Sequence, residues 1–161
     1  MKKLLKKSKK LVLVLLAAVM IIGLFQAPLE VQSATKCSTL ASAVKKKASS
    51  GFKKTSKKST CSFLTSSYRK NVKDFYYATD SDQVYVVCIV RANSTANAKK
   101  IKTKFDSILK SQKNNSYLSS SQKKVVKAAK TGRSGTYVWY ISLSSSSSTN
   151  TKAVSALKAK L

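Results

Sequence analysis

The chain has 161 residues, enough for one domain with appendages, and carries 32 Lys and Arg against 5 Asp and Glu, a net charge of +27. It contains no His and no Cys-x-x-Cys, which excludes histidine-dependent triads and dyads as well as zinc-finger and haem-attachment chemistry. A charge excess of this size repels itself and draws in polyanions: nucleic acid, anionic lipid or anionic wall polymer.

Residues 1–33 have the form of an export signal. Lys2, Lys3, Lys6, Lys7, Lys9 and Lys10 make a positive n-region. Leu11 to Phe25 is a 15-residue apolar h-region, shorter than the roughly 20 residues of a spanning helix. Val31-Gln32-Ser33 sets aliphatic and small residues at −3 and −1, so the mature N-terminus is expected at Ala34 or Thr35. The alternative is an uncleaved N-terminal anchor, because the h-region can extend toward Leu29. Lys36 stands before Cys37 where a lipobox needs a small residue, which excludes a lipoprotein. Removing the first 33 residues takes away six Lys and Glu30 and leaves 26 basic against 4 acidic residues, a net +22.

All three cysteines lie beyond the signal and so meet an oxidising exterior. Cys88 sits in an apolar run and reads as a buried thiol. Cys37 and Cys61 have polar flanks and form the expected disulfide pair, closing a loop of about 25 residues for ~3 kcal/mol on a chain-entropy estimate. The alternative is three free thiols.

Residues 34–62 read as a basic helix followed by a flexible linker. The helix runs from Ser38 to Ser50, with Ser38 as cap, Leu40, Ala41 and Val44 on one side, and Gly51 as its end. The run from Lys53 to Thr60 has no apolar residue and reads as solvated. The folded domain is expected over residues 63–161.

Lys73 to Thr79 is a strand candidate whose alternation is spoiled by Asp74, which shares a face with Tyr76. After the turn Asp80-Ser81-Asp82 comes Val84 to Val90, apolar on both alternating faces, as in a central strand covered on both sides. Thr95 to Lys113 is the best helix, capped by Ser94, with Ala98, Ile101, Phe105, Ile108 and Leu109 on one face and lysines on the rest. Ser119 to Val126 is a shorter helix, and a weak strand follows around Ala128 to Thr131. Gly132-Arg133-Ser134-Gly135 reads as a turn, and Thr136 to Leu143 as an alternating strand. Ser144 to Ser148 is a low-complexity connection, and a last helix from about Thr151 is expected to bury Val154, Leu157 and Leu161. The order β-β-α-α-β-β-α predicts an α+β fold. It has a small antiparallel sheet of about four strands and helices on at least one face.

Four pieces of the run from Leu64 to Leu161 carry a family pattern. They are Val72-Lys73-Asp74-Phe75-Tyr76-Tyr77, Asp82-Gln83-Val84, Tyr117-Leu118-Ser119 and Gly135-Thr136-Tyr137-Val138. The run resembles a family of exported Gram-positive bacterial proteins catalogued as a domain of unknown function, with a Tyr-x-Pro segment before a Gly-x-Tyr-Val strand. Gln83 stands where that family usually has Glu, Ser119 replaces the Pro, and a Cys-containing basic segment replaces a lipid anchor. The resemblance implies export and this fold, and brings no activity or site residues.

For chemistry, the mature chain offers only Asp74, Asp80, Asp82 and Asp106 as carboxylates. Ser-x-x-Lys spacings at Ser42/Lys45, Ser67/Lys70 and Ser107/Lys110 follow from the abundance of both residues and do not point to a catalyst. Asp80-x-Asp82 is a poor cation site amid so much positive charge and reads as a turn. Gly132-x-x-Gly135 resembles a phosphate-binding loop only superficially. No catalysis, metal or cofactor is expected. The leading reading is an exported basic module that adheres to anionic envelope polymer or membrane surface. Its candidate contacts are Lys53, Lys54, Lys57 and Lys58 in the linker and Lys99, Lys100, Lys102 and Lys104 on the helix. Nucleic acid is the second candidate partner, with Tyr68, Phe75, Tyr76, Tyr77 and Tyr117 as stacking residues. A secreted cationic toxin or antimicrobial comes third, because the best amphipathic helix is committed to a core.

Overall fold

The computed structural model describes residues 34–45 and 52–161. The export signal and the expected helix end at Gly51 lie outside the described residues. Thr35 to Leu161 form one compact unit. In chain order it contains helix α1 (Cys37–Lys45), strand β1 (Lys53–Thr55), a 3-10 turn (Lys58–Thr60), the one-turn helix α2 (Ser66–Arg69) and strands β2 (Val72–Thr79) and β3 (Val86–Ala92). Helices α3 (Thr95–Lys113) and α4 (Ser120–Ala128), strands β4 (Lys130–Ser134) and β5 (Tyr137–Ser142), and helix α5 (Ser147–Lys158) complete it. The fold is α+β, with one antiparallel sheet of five strands in the order β1-β2-β3-β5-β4. The expected run β-β-α-α-β-β-α is present from β2 onward.

β3 lies in the middle of the sheet, and Val86 to Val90 are all buried. Alternation sends Val86, Cys88 and Val90 into a core with Phe63, Ile101 and Phe105. It sends Val87 and Ile89 into a second core with Leu40, Val44 and Leu157. Helices therefore cover both faces: α3 with residues 61–64 on one, α1 and α5 on the other. Val84 and Tyr85 are not part of the strand. The Asp80 carboxylate accepts hydrogen bonds from both their main-chain amides, at 2.9 and 3.1 Å, and turns Val84 toward Val125 and Val126 of α4. Asp80 thus works as a turn former, while Asp82 accepts from Gln122 at 3.0 Å.

The boundary expected at residue 63 does not separate two units. Cys37, Leu40, Ala41 and Val44 of α1 are buried against the sheet. The run expected to be a solvated linker supplies β1, which pairs Lys53, Lys54 and Thr55 with Thr79, Ala78 and Tyr77. An edge strand needs only main-chain partners, so it forms without an apolar residue. Asp74 has a purpose that periodicity misses. It sits where the β2 register shifts, and its carboxylate accepts from the Cys37 amide at 2.7 Å. A strand carboxylate thus takes the place of a local cap at the start of α1, where the helix dipole favours negative charge.

The second half follows its caps. Ser94 accepts from the Asn97 amide at the start of α3, and Ser119 forms a capping box with Gln122 at the start of α4. Three expectations fail here. Gly132 is not in a turn but within β4, opposite Trp139, and the hairpin turns at Gly135-Thr136. Gly135 has φ +53°, as the first turn residue of such a hairpin requires. The last helix starts inside the serine run, with Ser146 accepting from Thr149, because serines cap a helix as readily as they link. Leu161, expected in the core, is 38% exposed.

Gly132 is fixed by packing, since a Cβ there would overlap the Trp139 indole. Gly132→Ala is expected to cost about 1–3 kcal/mol through overpacking. Because the chain has one Trp, a shift of its fluorescence emission in the folded state reports the displaced ring directly. An unchanged spectrum with unchanged stability would contradict the contact.

Candidate polyanion-binding site

The structure divides the eight candidate lysines into two groups. Lys53 and Lys54 project from edge strand β1, with Lys57 and Lys58 beside it. A cavity of about 360 Å³ opens there, and Lys54, Lys58 and Lys73 reach its wall together with Ser56, Asp74 and Tyr76. Lys58 is partly spoken for, donating to the Val72 carbonyl at 3.1 Å, and the Lys54 ammonium lies 5.5 Å from the Tyr76 ring centroid. Lys53 and Lys57 stay exposed. Lys73 joins the group because β2 lies next to β1, an adjacency that depends on pairing between distant segments.

The other group is on α3, which packs on β3, β4 and β5, away from the β1 edge. Lys99 and Lys100 are exposed, and Lys104 borders a cavity of about 240 Å³ with Ser107, Ser111 and Gln112. Lys102 is not a free cation. It is half-buried and bonded to Asp106 at 2.6 Å, the one ion pair among the described residues. Burial would push the Asp106 carboxyl up, but hydrogen bonds from Lys102 and Thr131 and the Lys102 charge hold it below the usual carboxylate range.

A third basic feature went unseen in the sequence. Lys130, Arg133 and Lys158 surround a cavity of about 250 Å³ whose wall includes Thr131, Thr151 and Trp139. Lys158 stands 5.9 Å from the Trp139 ring centroid, and the buried indole Nε1 has no hydrogen-bond partner among the described residues. β4 and α5 bring these residues together, and no local spacing announces them.

The aromatic residues sort differently. Tyr76 and Tyr77 are buried, and Tyr68 and Phe75 pack against a core. Of the five stacking candidates only Tyr117 stands open, 96% exposed. The expected cysteine pair is not brought together either: Cys37 lies in the α1–α5 core and Cys61 in the α3 core, with the sheet between them. All three thiols are free and buried. Among the described residues no group of three or more His, Cys, Asp or Glu is arranged to hold a metal ion. Ser42 donates to the Ser38 carbonyl, and Ser67 shares a hydrogen bond with Thr65, both local roles.

No family model matches the chain, and no curated protein or solved structure matches it.

Proposed function

We propose that the protein is an exported, non-catalytic, strongly basic module that adheres to anionic cell-envelope polymer or to an anionic membrane surface. One observation carries this reading. The cations of the described residues are left almost wholly without acidic partners, Lys102 with Asp106 being the only pair. Charge kept for solubility alone would mix both signs, whereas an unneutralised excess holds a positive field outside the molecule. The β1 edge, with Lys53, Lys54, Lys57, Lys58 and Lys73, is one concentration, and Lys99, Lys100 and Lys104 supply a second. Lysine is a flexible point charge, which suits a repetitive phosphate polymer better than base-specific reading. Export is supported by the signal pattern and by the start of the compact unit at Thr35, next to the expected cleavage point. The same reading assigns residues 64–161 to the exported family that their motifs resemble.

A salt titration tests the proposal. Teichoic-type polymer, anionic vesicles and DNA should all bind at low salt. Log K should fall with log salt by roughly 0.7–0.9 per phosphate contacted. Changing Lys53, Lys54, Lys57 and Lys58 together to Gln should flatten the slope more than changing Lys99, Lys100 and Lys104. Salt-resistant binding to DNA alone would favour the nucleic-acid reading, and no binding to any of the three at low salt would end the adhesion reading.

A further inference from the structure

We propose that Cys61 and Cys88 are a disulfide pair, closed by a disulfide-bearing oxidant as the chain folds, with Cys37 left as the free thiol. The two residues are 27 positions apart in sequence and belong to one core. Both are fully buried, and the two residues that follow Cys61 touch the cross-strand neighbours of Cys88, Ser62 meeting the Tyr77 hydroxyl and Phe63 the Tyr140 ring. Cys88 is fixed at the centre of β3, opposite Tyr77 on one side and Tyr140 on the other. Cys61 comes from above the sheet, on the short connection between the 3-10 turn and α2. That connection is held in place independently of the cysteines. Ser62 shares a hydrogen bond with the Tyr77 hydroxyl at 3.0 Å and donates to the Gln83 side-chain carbonyl oxygen at 2.7 Å. Phe63 packs edge-on against Tyr140 at 4.9 Å and against Phe105 at 5.9 Å.

Position also decides which sulfur reacts first. Cys61 lies on a short connection outside the sheet, whereas Cys88 is locked in the middle strand. The Cys88 thiol, with the Phe63 and Leu64 amides, favours the Cys61 thiolate, while burial disfavours that of Cys88. The Cys61 thiolate attacks one sulfur of the oxidant, forming a mixed disulfide and releasing one oxidant thiolate. Cys88, giving up its proton, then attacks the Cys61 sulfur and expels the second. Two S–H bonds are lost and one S–S bond forms, and the oxidant disulfide leaves as two thiols with the two protons. Cys37 is excluded from this exchange by the sheet and by its own setting, where burial and the nearby Asp74 push its thiol up.

Supply of the oxidant in the cell rests on the export reading, but the pairing itself is testable without it. Protein purified with its thiols reduced is unfolded and refolded in a mixture of oxidised and reduced glutathione. It is then alkylated under denaturing conditions and digested with trypsin. The expected product joins the peptide 59–69 to the peptide 74–91, with a mass two hydrogens lower than their sum, while the peptide 37–45 carries the only alkylated cysteine. The oxidised protein should melt about 10 °C above the reduced one, a gain that Cys61→Ala abolishes and Cys37→Ala keeps. Three alkylated cysteines after oxidation, or any link through the 37–45 peptide, would overturn the pairing while leaving export untouched.

Discussion

Phe105→Ala is expected to cost about 3–5 kcal/mol of folding stability, the range for removing a fully buried aromatic side chain. The Phe105 ring is completely enclosed and meets Phe63 and Tyr140 edge-on, at centroid distances of 5.9 and 6.4 Å. Losing it removes apolar area, leaves a cavity, and unties α3 from the connection that carries Cys61. Neither Phe63 nor Tyr140 can collapse into the gap, because each also packs against a strand or a second ring. The matched control is Lys102→Ala, three residues earlier on the same helix, which breaks a half-exposed ion pair worth at most about 1 kcal/mol. Urea unfolding with an unchanged slope and a shifted midpoint separates the two. Equal shifts would mean that α3 packs with a different face.

Asn150→Ala is expected to cost about 3 kcal/mol by stranding buried main-chain groups. The Asn150 side chain is completely buried; its oxygen accepts from the Leu143 amide at 2.8 Å. Its nitrogen donates to the carbonyls of Ala128 at 3.0 Å and Ser144 at 2.8 Å. One amide thus joins the end of α4, the exit of β5 and the first turns of α5. Asn150→Asp keeps the acceptor and faces two carbonyls with a carboxylate, so at neutral pH it should be at least as damaging. Burial and those carbonyls would raise that carboxyl in the folded state. The folded protein then binds the proton that the unfolded chain has lost, and stability of the variant recovers as the pH falls through this window. Denaturation of both variants at neutral and mildly acid pH checks the loss and its partial reversal. An Asn150→Ala protein as stable as the parent would show that water replaces the amide.

Local patterns foretold the parts of the fold governed by local physics. The apolar stripe Ala98-Ile101-Phe105 and the cap Ser94 were legible because helix faces and caps are set within one or two turns. The double-sided apolar run of β3 was legible for the same reason. What failed depends on partners far away in sequence. β1 has no apolar residue and exists because β2 offers main-chain groups to it. Gly132 looked like punctuation, but its lack of a side chain makes room for Trp139. Asn150 falls between the expected serine connection and the expected start of the last helix, and nothing in its neighbours predicts three main-chain partners. The candidate site divides in the same way: the Lys53–Lys58 run is visible as a charge cluster, whereas Lys73, and Lys130 with Arg133 and Lys158, are assembled by strand pairing and helix docking. The cysteine pair was misassigned because flanking composition says nothing about which side of a sheet a residue reaches.

The α1–α5 layer has a consequence for the order of folding. Thr35 accepts from the Tyr137 hydroxyl at 2.7 Å and donates to the Lys160 carbonyl at 3.0 Å, 125 positions away. Helix α1 therefore waits for α5, while the α3 face draws only on residues between Cys61 and Tyr140. A chain emerging from its N-terminus can close that face early, but α1 stays without its partner until α5 is complete. Closure of so long a loop is slow relative to the local steps before it. Over that interval the apolar side of β3 that bears Val87 and Ile89 is the surface most open to self-association, which makes the speed with which the two ends meet a determinant of yield.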